Sequence, residues 1–220
     1  MIVLFLLACG YLGYKGYQDY ETALSAMSME EMEQKIQSIG NYTKLENLPE
    51  TYVKAVLAVE DKRFYRHFGI DLIATCRAFV NDIKAMAPVE GGSTITQQLA
   101  KNQYFSQEKK ITRKIAELFM AFKIEQSFTK DKILEMYVNS IFFGNNYYCV
   151  KEASLGYFGK LPKDMNDYES TLLAGIPNAP SAYALTKNPE LAHQRQKRVL
   201  EKMVKYKYLT EKEAKAIMHK

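Results

Sequence analysis

The sequence predicts a mainly α-helical protein, and three observations lead to this class. Glycine and proline are scarce, at 11 and 6 of the 220 residues, which disfavours a fold built from many tight hairpins. Apolar residues recur at intervals of three and four over much of the chain, as they do on one face of a helix. A convincing run of the two-residue alternation of a half-buried strand is absent. A chain of this length forms one sizeable core, in one or two lobes.

The first residues form an apolar segment that we interpret as a membrane anchor. Residues 2–12 are almost purely apolar, and Lys15 interrupts the segment after roughly 13 residues, where a full span needs about 20. The tyrosines on either side of Lys15 fit the aromatic belt of a membrane interface. We therefore expect residues 1–17 to be the outer part of a transmembrane helix truncated at its start. A signal-peptide core and a lipoprotein site at Cys9 are the alternatives, and both lack a basic leading region.

The rest of the chain divides into a linker and a main domain. Residues 18–47 are expected to form a stalk or irregular linker, because residues 19–37 are polar with only scattered apolar positions, and residues 48–220 to form the domain. Pro49 suits the first turn of a helix, and Thr210 with Glu213 forms a capping box at the start of the last one. Helices are predicted over residues 49–64, 71–86, 94–103, 111–126, 130–139, 167–175, 189–205 and from 210 onwards.

Composition and charge place few limits on function. Hydrophobic residues make up 47% of the chain and charged residues 25%, as in an ordinary globular protein. The net charge of +5 suits an anionic partner such as phosphate or a lipid headgroup, but it also occurs in proteins that need it only for solubility. Cys9, Cys76 and Cys149 are far apart and odd in number, so they predict neither a metal site nor a disulfide framework.

A carboxylate at the end of the first predicted helix is the first candidate for chemistry. Glu60 opens the run EDKRFYRHFG, in which adjacent carboxylates precede aromatic residues and a histidine. A carboxylate beside aromatic surface is partly desolvated, which suits a general base. The alternative is an ordinary helix end whose charges lie in solvent.

The run GGSTITQQLAKN, from Gly91 to Asn102, is the second candidate. Two glycines lead into hydroxyl residues that can cap a helix, and such a helix N-terminus readily binds an anion. The spacing of a phosphate-binding P-loop is absent. An N-capped surface helix is the alternative.

The helix predicted over residues 111–126 carries the third candidate, Arg113 with Glu117. At about 100° per residue, one broad apolar face of this helix is formed by Ile111, Ile115, Leu118, Phe119 and Phe122. Met120 and Ile124 share the opposite side with Arg113 and Glu117, and a helix that is apolar nearly all round is central in a fold. The pair is therefore expected to face a wet cleft, although an exposed pair four residues apart is the simpler alternative.

The basic run from His193 to Arg198 does not predict a nucleic-acid partner. It lacks interleaved aromatic residues and any recognised DNA-binding pattern. A solvated or membrane-facing helix surface fits it better.

Taken together and in order, these stretches resemble the glycosyltransferase family 51 domain, the peptidoglycan-polymerising module of class A penicillin-binding proteins and monofunctional transglycosylases. The resemblance runs from about Leu48 to Leu200 and rests on the motifs AVEDKRFYRHFGID, GGSTITQQLAKN, RKIAELFMAFKIE, KILEMYVNSIFFG and RQKRVL. It implies a lysozyme-like helical domain with a smaller, membrane-associated jaw lobe. Nothing in the chain resembles a transpeptidase.

The resemblance also implies roles for individual residues. Glu60 matches the general base that deprotonates the 4-hydroxyl of the acceptor sugar. Glu117 matches a second catalytic glutamate, which assists departure of a pyrophosphate either directly or through a divalent cation such as Mg²⁺ or Mn²⁺; the sequence itself does not require a metal. The positions implied to bind substrate are Asp61, Phe64, His67, Ser93, Thr94, Gln97, Gln98, Lys101, Asn102, Lys109 and Arg113.

The activity implied is polymerisation of lipid II into β-1,4-linked glycan strands, with inversion and release of polyprenyl pyrophosphate. The implied partners are lipid II, the growing glycan chain on polyprenyl pyrophosphate, the membrane and other cell-wall synthases, with no nucleic acid. The implied location is the outer face of a bacterial cytoplasmic membrane, on a single-pass anchor. A lysozyme-type glycoside hydrolase and a non-catalytic cell-wall scaffold are the rival interpretations.

Overall fold

The computed structural model describes residues 1–85, 91–106, 108 and 110–218. Within these ranges the regular structure is helical, and the one pairing of extended backbone is an isolated antiparallel bridge between Phe68 and Ile70. The predicted mainly α class is therefore confirmed. Backbone contacts divide the chain into two compact units. The first unit comprises Met1–Ser38 and Tyr65–Tyr137, and the second comprises Ile39–Phe64 and Val138–Lys220.

The helices of the first unit include two that cover most of the predicted linker. They are α1 (Ile2–Ala26), α2 (Met29–Gln37), α4 (Leu72–Ala85), α5 (Ile95–Tyr104), α6 (Ile111–Ser127) and α7 (Lys130–Val138), the last of which ends one residue into the second unit. The second unit contains α3 (Glu50–Glu60), α8 (Val150–Phe158), α9 (Asp167–Gly175), α10 (Pro180–Tyr183), α11 (Pro189–Lys205) and α12 (Glu211–Met218).

The prediction of irregular structure between residues 19 and 37 is wrong. α1 continues to Ala26, and Ser28 then caps α2 by accepting from the N–H of Glu31 at 3.2 Å, while the Glu31 carboxylate accepts from the Ser28 N–H at 2.7 Å. Met29, Met32 and Ile36 lie on the buried side of α2. Spaced three and four apart, these residues form an amphipathic face that the polar composition of the stretch concealed.

The two ends of α1 lie in different surroundings. Ile2 to Leu7 are highly exposed, whereas Gly16 is buried against α6, where a Cβ on the glycine would lie 2.5 Å from Cγ2 of Ile115. Tyr17 contacts Phe119 edge-to-face, with ring centroids 5.4 Å apart. Across the described ranges, no helix combines the length and the apolar character needed to cross a membrane. The anchor over residues 1–17 therefore stays a prediction.

The broad apolar face of α6 is not the side that is fully buried. The fully buried residues are Ala116, Met120, Ala121 and Ile124, whereas Ile111, Phe119 and Phe122 are exposed by 67%, 37% and 38%. Small alanines let neighbouring elements approach this face closely. Glu117 lies on the same side as Met120 and Ile124, so the packing carries its carboxylate into the interior rather than into a wet cleft.

In the second unit the helices predicted over residues 167–175 and 189–205 are confirmed as α9 and α11. α8 was not predicted. It begins at Cys149 without a side-chain cap and ends at Gly159, which adopts the left-handed conformation at φ +66°. The weak start signal explains the omission.

Gly69 lies against the backbone of α6, so a larger residue there would measure how much this close packing contributes to stability. It has φ +77°, and a Cβ there would lie 3.2 Å from the backbone C and O of Ala121 in α6. Gly69→Ala is expected to lower the free energy of unfolding by about 2–3 kcal/mol, from left-handed strain and displacement of α6 together. Chemical denaturation measures the change.

Gly159→Ala is the matched control, because Gly159 is also left-handed but no atom lies within 4 Å of the place that its Cβ would take. It should cost only the strain, about 1 kcal/mol. Equal losses in the two variants would show that the approach to α6 contributes nothing.

Candidate active site

Glu60 is the last residue of α3, at the end of a helix whose other side is buried. Tyr52, Val56 and Val59 fix α3 in the core of the second unit. The chain turns at Asp61, whose N–H donates to the carbonyl of Leu57 at 3.0 Å and whose own carbonyl accepts from the N–H of Phe64 at 3.1 Å. Asp61 and Phe64 are buried, and Glu60 is half-buried. The turn thus leaves the Glu60 carboxylate at a partly accessible end of a rigid helix.

Charged groups of α11 lie near this end of α3. Lys202 Nζ donates to the carbonyl oxygen of Val59 at 3.1 Å. Burial lowers the pKa of Arg195, and the Glu60 carboxylate opposes this by favouring the charged guanidinium. Burial also raises the pKa of Tyr52, with smaller contributions from Cys149 and Glu60. Arg195 and Lys202 of α11 thus lie near the helix end that carries Glu60.

The start of α5 is built by a capping box. Thr94 Oγ1 accepts from the N–H of Gln97 at 3.1 Å, and Gln97 Oε1 accepts from the N–H of Thr94 at 2.9 Å. The Thr94 hydroxyl also donates to the carbonyl of Gly69 at 2.6 Å. Both side chains are buried and cap α5. The Thr94 hydroxyl also connects this helix to Gly69 in the first motif.

The other predicted residues of the second motif lie nearer the surface. Gln98 accepts a hydrogen bond from the hydroxyl of Tyr137 at 3.2 Å. Lys101 and Asn102 are half-buried on the same helix. His67, from the first motif, is half-buried in this unit. Lys109 lies outside the described residues.

Glu117 is the centre of an ion-pair cluster in the first unit. Its side chain is 1% exposed, with Oε1 paired to Nη1 of Arg113 and Oε2 2.9 Å from Nζ of Lys114. The same Nζ donates to Oγ of Ser93 at 2.8 Å. Arg113 Nε donates in addition to the carbonyl of Glu108. We call Ser93, Arg113, Lys114 and Glu117 the Glu117 cluster; it joins the second motif to the third.

Lys114 is the member of this cluster that sequence reasoning missed. It lies three residues before Glu117, and side chains three or four apart meet on a helix surface. Only the four-residue pair of Arg113 with Glu117 was predicted. The three-residue spacing was the signal that could have identified Lys114.

A second buried carboxylate on α6 was also missed. Glu125 accepts from the hydroxyl of Thr96 at 2.6 Å and pairs with Lys130 Nζ at 2.7 Å. These bonds connect α5, α6 and the start of α7. The carboxylate therefore fixes the two helices that carry the second and third motifs.

The two cations beside Glu117 do not fit binding of a metal ion by this carboxylate. Both oxygens of the Glu117 carboxylate already contact cations. The other polar group of the cluster is the Ser93 hydroxyl, which accepts a hydrogen bond from Lys114. Two nearby cations disfavour binding of Mg²⁺ or Mn²⁺, which take mainly oxygen ligands. Within the described part of the chain, no group of three or more His, Cys, Asp or Glu side chains is placed to hold a metal ion.

A protein-family model matches most of the chain. Residues 27–204 match the family model described as transglycosylase, a stretch that contains Glu60, the start of α5 and the Glu117 cluster. The chain belongs to the transglycosylase family, so the predicted resemblance is confirmed.

Among curated proteins, the chain is similar to penicillin-binding proteins 1A. It is 48% identical over 169 residues, 77% of its length, to that of Neisseria gonorrhoeae. It is 41% identical over 179 residues, 81% of its length, to that of Aquifex aeolicus. The chain spans only 21% and 25% of the length of these two relatives. A crystal structure of penicillin-binding protein 1A from Haemophilus influenzae aligns with 80% of this chain and 17% of that one, at 21% identity and a TM-score of 0.47.

The cap of α5 makes a stability prediction. Thr94→Ala removes the cap and the bond to Gly69, and it leaves buried polar groups without partners, so it should cost about 2 kcal/mol of unfolding free energy. Thr210→Ala is the matched control, because Thr210 caps α12 by the same box but is exposed.

Removal of the Thr210 cap should cost about 0.5–1 kcal/mol. Thermal or chemical unfolding of both variants gives the comparison. A loss at Thr94 no greater than that at Thr210 would contradict a buried, bridging role for the Thr94 hydroxyl.

Proposed function

We propose that the chain is a peptidoglycan glycosyltransferase that polymerises lipid II into β-1,4-linked glycan strands, with inversion and release of polyprenyl pyrophosphate. The observation that carries the proposal is the transglycosylase family match over residues 27–204, which includes both Glu60 and the Glu117 cluster. The similarity to penicillin-binding proteins 1A supports a role in cell-wall synthesis.

Glu60 is the general base in this proposal. The 4-hydroxyl of the acceptor sugar attacks the anomeric carbon of the donor, and its proton passes to the Glu60 carboxylate. The bond from the anomeric carbon to the pyrophosphate oxygen breaks, and polyprenyl pyrophosphate leaves with that electron pair. Attack from the face opposite an α-linked leaving group inverts the anomer and gives a β-linkage. The half-buried position of Glu60 at the end of a fixed helix supports this role.

The Glu117 cluster is the binding site for the leaving pyrophosphate. Arg113 and Lys114 supply two positive charges, and the Ser93 hydroxyl adds a neutral partner. Negative charge accumulates on the pyrophosphate as its bond to the sugar breaks. Cations held in place before the reaction therefore stabilise the transition state more than the ground state.

Glu117 acts directly on these cations in our proposal, without a metal ion. In the free protein its carboxylate balances the charge of Arg113 and Lys114 and holds both side chains in place. An incoming pyrophosphate competes with Glu117 for the same two groups. The two ion pairs of the buried carboxylate support this role.

Exposed apolar residues support work at a membrane surface. Ile2 to Leu7 of α1 are exposed, as are Leu72 and Ile73 at the start of α4, at 71% and 67%. Large apolar side chains grouped at the surface often mark membrane or protein contacts. We place the chain on the outer face of a bacterial cytoplasmic membrane on a single-pass anchor, with Leu72 and Ile73 on the membrane-associated jaw and other cell-wall synthases as partners.

Removing the base is the central test. Glu60→Gln should lower kcat for polymerisation of lipid-linked disaccharide-pentapeptide by about 10²–10⁴-fold, since the amide cannot accept the proton. Glu50→Gln, an exposed substitution at the start of the same helix, should leave kcat unchanged. Polymer is measured by gel separation of labelled glycan, with and without EDTA.

Full activity of Glu60→Gln would overturn the assignment of the base. Loss of wild-type activity in EDTA would overturn the metal-free role of Glu117. Release of reducing ends from preformed cell wall, without polymer formation, would instead favour the hydrolase.

If Glu117 competes with pyrophosphate, its removal should strengthen pyrophosphate binding and slow polymerisation. Glu117→Gln frees Arg113 and Lys114 from their internal anion, so inorganic pyrophosphate should bind in EDTA with Kd lowered about tenfold, equivalent to about 1.4 kcal/mol. Titration calorimetry measures Kd, and the polymerisation rate of the same variant should fall.

Glu108→Gln is the control for this titration, because it removes an exposed carboxylate paired with Lys110 and keeps the carbonyl that accepts from Arg113. Its Kd should match that of the wild type. Weaker pyrophosphate binding by Glu117→Gln, or binding restored only by Mg²⁺, would contradict the competition.

A further inference from the structure

The last turn of α3 is bonded to α11 immediately before Glu60. Nζ of Lys202 donates to the carbonyl oxygen of Val59 at 3.1 Å, and Val59 is the neighbour of Glu60 in the chain. The carbonyls of the last turn of a helix lack a helical N–H to bind, and cations stabilise this negative end of the helix. Lys202 therefore binds and stabilises the turn that ends at the Glu60 carboxylate.

A second contact joins α11 to the chain shortly after Glu60. Nζ of Lys62 lies over the ring of Tyr206, 4.4 Å from the ring centroid. An ammonium group at this distance is attracted to the face of an aromatic ring. Lys62 is two residues beyond Glu60, so residues 59–62 are held to α11 at both of their ends.

Lys202 and Tyr206 are placed to act together. They are four residues apart, and the N–H of Tyr206 donates to the carbonyl of Lys202 at 2.9 Å. Residues at this spacing on a helix lie on the same side of it. One side of α11 therefore supplies both contacts to the segment that carries Glu60.

A hydrogen-bonded turn fixes the end of α11 that carries Tyr206. The N–H of Tyr208 donates to the carbonyl of Met203, and the N–H of Lys207 donates to that of Val204, both at 2.9 Å. Lys207 is left-handed, with φ +63°, and the two bonds are those of a Schellman motif. Met203 is fully buried, so this turn is attached directly to the core of the second unit.

The two contacts act on the end of α3 rather than on its body. Tyr52 and Val56 hold the body of the helix in the core, whereas Lys62, Lys202 and Tyr206 are half-buried. The ends of helices open more readily than their buried bodies. Contacts at the end therefore restrict movement of the last residue while adding little to the stability of the fold.

We propose that Lys202 and Tyr206, which we call the α11 clamp, are positioning residues for Glu60. By binding Val59 and Lys62, on either side of Glu60, they keep its carboxylate in the place where it receives the acceptor proton. The proposal rests on the proposed function of Glu60 as the base. A displacement of about 1 Å near a reacting group can slow the chemical step by about 10²-fold, so two modest contacts can have a large effect on kcat.

Lys202→Met tests the first contact. Methionine keeps an unbranched side chain but cannot donate to Val59, so kcat for polymerisation by the full-length chain should fall about tenfold with KM within about threefold. Rates are divided by the folded fraction measured by circular dichroism. Lys202→Arg keeps a cationic donor and should retain kcat within about threefold of the wild type. Lys205→Met is the matched control, an exposed cation on the last turn of α11, and should leave both constants unchanged.

A pair of substitutions at Tyr206 tests the second contact. Tyr206→Phe keeps the ring beside Lys62 and should leave kcat within about twofold of the wild type, whereas Tyr206→Leu removes the ring and should lower kcat by about threefold to tenfold. Lys62→Met removes the same contact from the other side. Added to Tyr206→Leu, it should lower kcat by less than about twofold further. Losses that multiply instead would refute the role of Tyr206.

A double-mutant cycle separates positioning of the base from a general structural role. Glu60→Asp keeps a base but withdraws its carboxylate, so Lys202→Met in that background should lower kcat by less than about threefold. Equal losses in the two backgrounds would overturn the proposal, as would a kcat of Lys202→Met within threefold of the wild type. If Lys202→Met does not fold, Tyr206→Phe and Tyr206→Leu decide, and equal kcat values for these two refute the clamp.

The two proposals fail in different ways. A wild-type chain that makes no polymer from lipid-linked precursor refutes the proposed function. An active wild type with inactive Glu60→Gln and fully active Lys202→Met refutes only the α11 clamp.

Discussion

The first unit depends on the burial of one face of α6. Ala116, Met120, Ala121 and Ile124 form that face, and two carboxylates lie among them. An ionised carboxylate taken out of water costs several kcal/mol unless charged or hydrogen-bonding partners replace the water. Burial of this face therefore requires partners for Glu117 and Glu125.

Those partners organise the rest of the unit. Glu117 takes Arg113 and Lys114 from its own helix, and Lys114 extends the network to Ser93. Glu125 takes Thr96 from α5 and Lys130 from α7. The hydrophobic packing and the polar network are thus one arrangement: the apolar contacts bring the carboxylates inside, and the carboxylates then fix the neighbouring helices at defined positions.

Helix positions were predictable where local signals are strong. The prolines and capping residues around α9, α11 and α12 act within a few residues, so their effect can be recognised in the sequence. α2 was missed because its buried methionines are scattered in a polar stretch, and α8 because its start lacks a side-chain cap. The expectation that Glu117 faces a wet cleft was wrong, because Phe119 and Phe122 are more hydrophobic than the alanines opposite, whereas close packing buries the side with the small residues.

In the candidate site, too, some residues could be predicted from local sequence and others only from the tertiary structure. Glu60, Arg113 and Glu117 were predicted from motifs, which are local. The second bond of Lys114, to Ser93, joins residues 21 positions apart, and no spacing rule reveals it.

The paired state of Glu117 has a consequence for selectivity among phosphates. A site that already contains its own negative group presents one net positive charge instead of two, so its general attraction for anions is weaker. A single phosphate with one contact to offer gains little by displacing a carboxylate that is bound at both oxygens. A diphosphate carries enough oxygens to satisfy both cations at once, and can replace the carboxylate without leaving either of them uncompensated. In the proposed mechanism, the protein thus distinguishes its ligand by the number of contacts that the ligand makes together, rather than by charge alone.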